Sequence, residues 1–193
     1  MDNGYWIITS EFEYYPLSVI NYQLSIIFVQ EKETINESDF TDVSHAPDAG
    51  RIVALDIGTK RIGVAVCDEL QFTARPFCVL KRIGWKKLLI QIISILEDFD
   101  AKALVLGLPY KFDGTESEMS RDARRLARNF SLSLQIPIFL QDERITSIEA
   151  KNLLHEQGFN YKEILERIDS EAAAVILSDF LHHVKEIQKR KRE

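Results

Sequence analysis

The sequence predicts an α/β fold in which a mixed five-stranded sheet is flanked by helices. Two observations support this prediction. Three strand-length apolar runs between residues 51 and 80 are separated by short connections, which join antiparallel strands. Two further apolar runs each follow a helical segment, and a helical crossover joins strands that run parallel. The first three strands are therefore expected to be antiparallel and the last two parallel.

The individual elements follow from the spacing of apolar residues. Strands are predicted at 51–56, 61–68, 72–80, 103–106 and 136–140. Helix one is indicated by apolar residues spaced three and four apart: Trp85, Leu88, Leu89, Ile92, Ile93, Leu96 and Phe99. Helix two is predicted at 116–132, with Met119, Ala123, Leu126, Ala127 and Phe130 facing the sheet. The ends of strands one and four then lie close together, at the edge where α/β sheets bind ligands.

Three more helices are expected in the last third of the chain. Thr146 and Glu149 match a capping box, so a helix should begin there and stop at Gly158. A short helix at 161–166 and a long one at 170–189 complete the prediction.

Residues 1–50 differ in composition from the rest of the 193-residue chain. They contain nine acids and one base, a net charge of −8, whereas the remainder carries +2. Residues 5–29 are rich in aromatic and β-branched side chains, and residues 30–50 are polar and acidic like a linker. We therefore predict an N-terminal acidic extension at 1–50, a hairpin or a partly disordered segment, followed by one globular domain at 51–193.

The sequence also contains features that bear on the cellular compartment of the protein. The apolar stretch at 17–29 is interrupted by polar residues and is shorter than the ~20 residues of a membrane span. The acidic start lacks the arginines of an organellar transit peptide. Cys67 and Cys78 have no CxxC partner, so we expect reduced packing residues rather than a zinc site. A cytoplasmic protein without a membrane partner is predicted.

Acidic residues follow two of the predicted strands and precede the last helix. Asp56 ends a buried run, the adjacent pair Asp142 and Glu143 follows another, and Asp169 stands before the final helix. Carboxylates that converge from separate elements suggest divalent metal ions and phosphodiester chemistry. The alternative interpretations are a turn residue for Asp56 and a helix N-cap for Asp169. Adjacent strand residues face opposite ways, so we expect only one of Asp142 and Glu143 to point inward, and we favour Glu143.

Basic residues form two groups. Gly58 lets the backbone approach a phosphate, and Lys60 and Arg61 beside it are placed to hold a nucleic-acid backbone; the alternative is a hairpin turn with solvated bases. Helix two carries four arginines within about 100° of one face, without an interleaved acid on that face. We call this set the arginine face: Arg121, Arg124, Arg125 and Arg128. Phosphate binding would relieve its mutual repulsion, and a solvated surface is the alternative.

Six motifs in series resemble the YqgF/RuvX family and cover about residues 51–183. They are LDIGTKRIGVAV at 55–66, TARP at 73–76, VLGLP at 105–109, DGTE at 113–116, DERITS at 142–147 and DSEAA at 169–173. Each motif alone is weak, whereas six in the family's order are specific. Residues 1–50 lie outside the resemblance.

The resemblance implies an RNase H-like nuclease domain and a metal-dependent endonuclease. Members are described as nucleases that process pre-16S rRNA in ribosome biogenesis or as Holliday junction resolvases. Asp56, Glu143 and Asp169 would be the catalytic metal ligands, with Asp142 as the alternative to Glu143, and would hold two Mg²⁺ or Mn²⁺ ions. The nucleic-acid contacts, with structured RNA or branched DNA, would be made by Lys60, Arg61, Arg75, Arg121, Arg124, Arg125 and Arg128. A homodimer is also compatible with this assignment.

Two other function classes share features with this sequence. The Asp-x-Gly-Thr sequence at 56–59 also opens the phosphate loop of sugar-kinase and actin-like ATPases, but those proteins need a second, related domain. A nucleic-acid-binding ribosome-maturation factor with little catalysis fits the acids and the arginines nearly as well. RNA and DNA present the same phosphates, so both substrates stay open at this stage.

Overall fold

The computed structural model describes residues 40–111, 114–142 and 161–192, with the backbone alone at 161–169 and 192. Its strands are β1 (Ile52–Ile57), β2 (Arg61–Cys67), β3 (Ala74–Lys81), β4 (Ala103–Leu108) and β5 (Ile138–Asp142). Within these residues they form one five-stranded sheet in the order β3-β2-β1-β4-β5. The pairs β1–β2 and β2–β3 are antiparallel, and β1–β4 and β4–β5 are parallel. The predicted RNase H-like mixed sheet is confirmed.

Among the described residues, the helices are α1 (Trp85–Asp98), α2 (Glu118–Ser133) and α3 (Tyr161–Arg192), and a 3₁₀ turn lies at Val43–His45. The prediction of two separate helices at 161–166 and 170–189 was wrong, because α3 is continuous. Residues 161–192 contain neither glycine nor proline, so nothing in the backbone interrupts the helix. Asp169 consequently lies inside α3 and is not an N-cap. The helix predicted from Thr146 to Gly158 falls outside the described residues.

The sheet is covered on both faces, and this explains its long apolar runs. Val53 and Leu55 pack with α1 and α2, in a cluster that includes Leu88, Ile92 and Phe130. Ile52 and Ala54 point the other way and pack with α3, in a cluster that includes Ala173, Ile176 and Phe180. The alternation follows from the two-residue period of a strand. The central strand β1 can therefore carry a polar residue only near its end.

Helix α2 begins two residues into the predicted segment because Ser117 caps it. The Ser117 hydroxyl accepts from the Ser120 amide, and the Ser120 hydroxyl accepts from the Ser117 amide in return. Ser120 is fully buried and occupies the inward position of the first turn. Met119, expected to face the sheet, is instead 41 % exposed, whereas the other four apolar residues of the predicted face are buried.

Residues 40–50, which have a linker-like composition, pack on both faces of the sheet. Phe40 contacts the cluster on the α1 side, and Val43 and Ala46 contact the cluster on the α3 side. The Gln71 side chain, only 4 % exposed, donates 3.0 Å hydrogen bonds to the carbonyls of Pro47 and Gly50. Residues 5–29, the aromatic and β-branched part of the predicted extension, lie outside the described residues. No helix in the described part of the chain is long and apolar enough to cross a membrane.

Candidate active site at the end of β1

Asp56 lies near the carboxyl end of the central strand, on the sheet face that α3 covers. It shares that face with Ile52 and Ala54, both of which pack against α3. Asp56 pairs with Gly63 of β2, and one step beyond the Leu55–Leu106 pair its neighbour on β4 is Gly107. The two residues directly opposite the half-buried Asp56 are therefore glycines, which carry no side chain.

Asp142 and Asp56 lie on opposite faces of the sheet. Along β5, Ile138 and Leu140 pack with the α1–α2 cluster, and Phe139 packs with the α3 cluster. Asp142 continues the series of Ile138 and Leu140, so it belongs to the α1–α2 face. Glu143 lies outside the described residues. The choice of Glu143 over Asp142 therefore stays a prediction.

Asp169 lies on the helix that covers the Asp56 face. It is one helical turn before Ala173, which is fully buried against the sheet. The side chain of Asp169 lies outside the described part of the structure. Its role as a metal ligand therefore stays a prediction.

Asp56 suits a divalent cation in its chemistry and position. Its oxygens are hard donors, of the kind that Mg²⁺ prefers, and its strand neighbours are glycines. Among the described side chains no group of three histidine, cysteine or acidic residues is placed to hold a metal ion. Two of the three predicted ligands, Glu143 and Asp169, have side chains outside that set. The predicted ligand set therefore stays a prediction.

The turn between β1 and β2 depends on Gly58. The Gly58 amide donates a 3.0 Å hydrogen bond to the Arg61 carbonyl, and a Cβ at position 58 would lie 2.7 Å from that oxygen. The close approach explains the glycine without a ligand. Lys60 and Arg61 are exposed at this turn, directly beyond Asp56.

Register places a second base beside Arg61. Arg61 pairs with Lys81 of β3, and both lie on the same sheet face as Gly63 and Asp56. Arg61 is thus the diagonal neighbour of Asp56 across the β1–β2 pair, a position typically ~7–8 Å away. Lys81 was missed in the sequence because only strand pairing, not local spacing, brings it to Arg61.

Arg75 is not brought to this cluster. It pairs with Val66, near the opposite end of the β2–β3 hairpin from Arg61, and Val66 belongs to the α1–α2 cluster. Arg75 is exposed there, on the sheet face opposite Asp56. A contact with the same segment of nucleic acid as Arg61 is therefore not supported by the geometry.

The arginine face of α2 is partly neutralised by acids, which corrects the expectation that none is interleaved. Arg124 Nε lies 2.6 Å from a Glu116 carboxylate oxygen, and its Nη2 donates to the Tyr110 hydroxyl at 2.6 Å. Arg125 pairs with Asp122 one turn earlier and keeps 69 % of its side chain exposed. Arg121 is exposed and Arg128 is half-buried. The exposed members Arg121 and Arg125 are the better candidates for phosphate contacts.

Asp122 also pairs with Arg82, a residue that the sequence reasoning missed. The two side chains are 18 % and 22 % exposed. Burial raises the pKa of Asp122, but the hydrogen bonds and charges of Arg82 and Arg125 outweigh it, so the pKa lies below its ordinary value. Asp122 therefore stays ionised at neutral pH.

Comparison with known proteins shows the family to which the chain is similar. A family model described as "RuvX: Holliday junction resolvase" matches residues 50–183. A protein of Anaeromyxobacter sp. named "Putative pre-16S rRNA nuclease" is 39 % identical over 131 residues, which are 68 % of this chain and 96 % of the relative. A protein of the same name from Novosphingobium aromaticivorans is 42 % identical over 130 residues, 67 % of this chain and 83 % of the relative.

The class is that of nucleases, enzymes that hydrolyse phosphodiester bonds. The chain belongs to the RuvX (YqgF) family, because the model matches well over half of its length.

Solved structures of resolvases share a distant likeness. Thermus thermophilus RuvC, solved in complex with a Holliday junction substrate, is 13 % identical with a TM-score of 0.44 and covers 69 % of this chain and 95 % of its own. The yeast mitochondrial Holliday junction resolvase Ydc2 is also 13 % identical, with a TM-score of 0.45 and coverage of 91 % and 96 %. Likeness at this level does not bear on the substrate of the present chain.

Proposed function

We propose that the chain is a metal-dependent endonuclease that cleaves structured nucleic acid, and that its substrate is the 5′ extension of pre-16S rRNA. The supporting observation is the surrounding of Asp56. A carboxylate lies near the end of the central strand between two glycines, and Arg61 and Lys81 lie on the same sheet face. Glu143 directly follows β5 in the sequence, and Asp169 lies on α3, the helix that covers this face.

The proposed roles divide between acids and bases. Asp56, Glu143 and Asp169 would hold two Mg²⁺ or Mn²⁺ ions, which when bound stabilise charge on the attacking and leaving oxygens. Arg61 and Lys81 would hold the phosphate next to the carboxylates, and Lys60, Arg121 and Arg125 would hold phosphates further along the strand. Phosphate contacts fix the register of the nucleic acid without reading its sequence.

The choice of RNA rests on the names of the relatives, which are pre-16S rRNA nucleases by name. The second candidate is a Holliday junction resolvase in DNA recombination, which the description of the matching family favours. Processing of rRNA would place the enzyme in the cytoplasm. A homodimer is part of the proposal only for the junction substrate, and sedimentation of the purified protein measures it.

One cleavage experiment decides between the candidates. The protein is incubated with Mn²⁺ or Mg²⁺ and with two labelled substrates: a 16S rRNA fragment with its 5′ extension and a four-way DNA junction. We expect cleavage of the RNA that EDTA stops and that Asp56→Asn removes. Preferential, symmetric cleavage of the junction would favour the resolvase. Tight binding without cleavage of either substrate would instead support a maturation factor with little catalysis.

A further inference from the structure

Arg82 joins three parts of the domain through one side chain and its own amide. Its Nη1 donates a 2.9 Å hydrogen bond to the Gly58 carbonyl, and its Nη2 pairs with the Asp122 carboxylate on α2. Its backbone amide donates to the Lys60 carbonyl at 2.9 Å. Residue 82 directly follows β3, so the guanidinium ties the β1–β2 turn and the edge of the sheet to helix α2.

The geometry needs a guanidinium. A planar fork can donate to a carbonyl and to a carboxylate at the same time, whereas an ammonium is a single point of charge. The pair is largely buried, and Asp122 has Arg125 as its other partner. Without the Arg82 side chain, the half-buried Asp122 carboxylate would keep only one cationic partner, the largely exposed Arg125. The Gly58 carbonyl would also lose this hydrogen-bond donor.

The tied turn lies between two residues of the proposed reaction. Asp56 precedes Gly58 by two residues, and Arg61 follows it by three. Arg61 and Asp56 are diagonal neighbours on one sheet face. The backbone path of the turn therefore sets the distance and orientation of the Arg61 side chain relative to the Asp56 carboxylate. The same guanidinium anchors the first half of α2, where Arg121 and Arg125 are exposed.

We propose that Arg82 is a positioning residue for the nuclease reaction. It clamps the β1–β2 turn to α2. Asp56, Arg61 and the exposed arginines of α2 thereby keep fixed positions relative to one another, so that all of them can act on the same strand of substrate. Arg82 itself need not touch the nucleic acid. This inference rests on the proposed function, because it assigns Arg82 to the turnover of that same site.

Loss of the clamp is expected to act on kcat more than on KM. A displacement of about an ångström at a reacting centre costs up to ~100-fold in rate, whereas the phosphate contacts that hold the substrate remain. We expect Arg82→Gln to lower kcat by roughly tenfold to a hundredfold with less than about a threefold change in KM. Arg82→Lys keeps the charge but loses the fork, so it should recover only part of the rate.

Arg51 provides a matched control at the other end of β1. Its Nη1 donates to the Phe99 carbonyl at 3.4 Å, and its Nη2 pairs with Glu69 at 3.0 Å, so it also joins a carbonyl and a carboxylate. It precedes the first residue of β1 and lies away from the turn at Gly58. Arg51→Gln should leave kcat within about twofold of the parent, even where it lowers the melting temperature.

The experiment measures kcat, KM and melting temperature for the parent, Arg82→Gln, Arg82→Lys, Asp122→Asn, the Arg82→Gln/Asp122→Asn double variant and Arg51→Gln. If the clamp acts through Asp122, the two single variants lose rate similarly and the double variant loses no more than either. Deuterium exchange of the peptide covering residues 57–62 is measured in parallel. It should become faster in Arg82→Gln and Arg82→Lys and stay unchanged in Arg51→Gln.

The outcomes separate this inference from the proposed function. A parent that cleaves and Arg82 variants that cleave within twofold of it would overturn the inference alone. Equal losses of kcat in Arg82→Gln and Arg51→Gln would show a general effect of stability and would also overturn it. If the parent cleaves nothing, the proposed function fails. In that case unchanged exchange at 57–62 rejects the clamp as well, and faster exchange supports the clamp without the reaction.

Discussion

Asp56 is the polar exception in a strand that is otherwise closed to water. The residues of β1 before it and Ile57 after it are at most 4 % exposed, and both sheet faces are covered. A carboxylate in such a place loses hydration unless other groups replace the lost water. The residues directly opposite it on β2 and β4 are glycines, which carry no side chain. This pattern agrees with the proposed role of Asp56 as a ligand for a cation.

The first prediction tests this interpretation. Asp56→Asn should lower the cleavage rate by more than ~100-fold, because a metal ligand matters at least as much as the groups that orient ligands. Fold and nucleic-acid affinity should hardly change, since the amide fills the same volume and the bases remain. Cleavage is measured with Mn²⁺, and circular dichroism and a binding titration are the controls. A folded Asp56→Asn protein with near-parent activity would contradict the metal site.

The second prediction separates two adjacent acids by the face of β5 on which they lie. Asp142 shares the face of Ile138 and Leu140, away from Asp56, so Asp142→Asn should cost less than about tenfold in cleavage rate. Glu143→Gln should cost more than ~100-fold. The two variants are compared at equal protein and metal concentrations. A larger loss in Asp142→Asn would show that the strand alternation does not continue to Glu143.

Some residues of the site could be predicted from the sequence because their signal is local. Asp56 ends an apolar run, and the arginine face repeats at helical spacing, so each could be found in a short window. Lys81 and Arg82 carry no such signal. Lys81 lies beside Arg61 only because of the strand register. Arg82 contacts Gly58 and Asp122, which are 24 and 40 positions away in the sequence. Tertiary contacts of this kind cannot be derived from periodicity.

At the level of elements, the strands were predicted well and the helix ends less well. The apolar runs of β1, β2 and β4 are buried on both faces, so they contrast with every neighbouring segment. The start of α2 depends on the reciprocal Ser117–Ser120 pair, and serine at its third position does not match the usual Glu or Gln of a capping box. Helix α3 was split in the prediction because Asp169 and Ser170 look like a helix start.

The third prediction belongs to helix α2 and follows from the unequal pairing of its arginines. Arg121 and Arg125 are exposed, so Arg121→Ala/Arg125→Ala should weaken binding of every substrate sequence alike. The slope of log affinity against log salt should shrink by ~0.7–0.9 for each phosphate that the protein no longer neutralises. Binding is titrated at several salt concentrations with both proteins in the Asp56→Asn background. An unchanged slope would mean that this face is only solvated.

Arg124 offers the contrast within the same helix. Its side chain is 15 % exposed and bonds both Glu116 and the Tyr110 hydroxyl. Arg124→Ala should therefore destabilise the fold by about 1–3 kcal/mol, in the range of hydrogen bonds to charged groups. Its effect on the salt slope should be smaller than that of the Arg121→Ala/Arg125→Ala pair. The reverse ranking would show that Arg124 leaves its partners to bind phosphate.

At the scale of the whole molecule, the question is where the folding unit begins. Composition placed the boundary after residue 50, and the matching family model begins at residue 50. Residues 40–50 nevertheless contact the sheet, the β2–β3 turn and the last turns of α3. Gln188 Nε2 donates to Asp48 at 2.7 Å, Lys191 Nζ donates to the Ser44 carbonyl at 3.2 Å, and the Thr41 amide donates to the Ile138 carbonyl at 3.0 Å. We propose that the folding unit includes residues 40–50.

The last prediction compares the full chain with chains that begin at Phe40 and at Arg51. The chain from Phe40 keeps the contacts of residues 40–50 and is the reference for the chain from Arg51. Starting at Arg51 removes the packing of the partly buried Phe40, worth at most about 1.5–3 kcal/mol, and the two carbonyls that satisfy Gln71, worth about 1–3 kcal/mol. For a domain of this size each kcal/mol shifts the melting temperature by roughly 2–4 °C, so a fall of about 10 °C is expected.

Gln71→Ala provides the control for that comparison. In the chain from Phe40 it should lower the free energy of unfolding, because the carbonyls of Pro47 and Gly50 lose their donor. In the chain from Arg51 those carbonyls are already gone, so the same substitution should cost much less, and the difference isolates the contact. Both shortened chains should bind nucleic acid at low salt at least as strongly as the full chain, because they lack most or all of a segment that carries −8. If the chain from Arg51 has the same melting temperature as the full chain, the folding unit begins after residue 50, as the composition predicted.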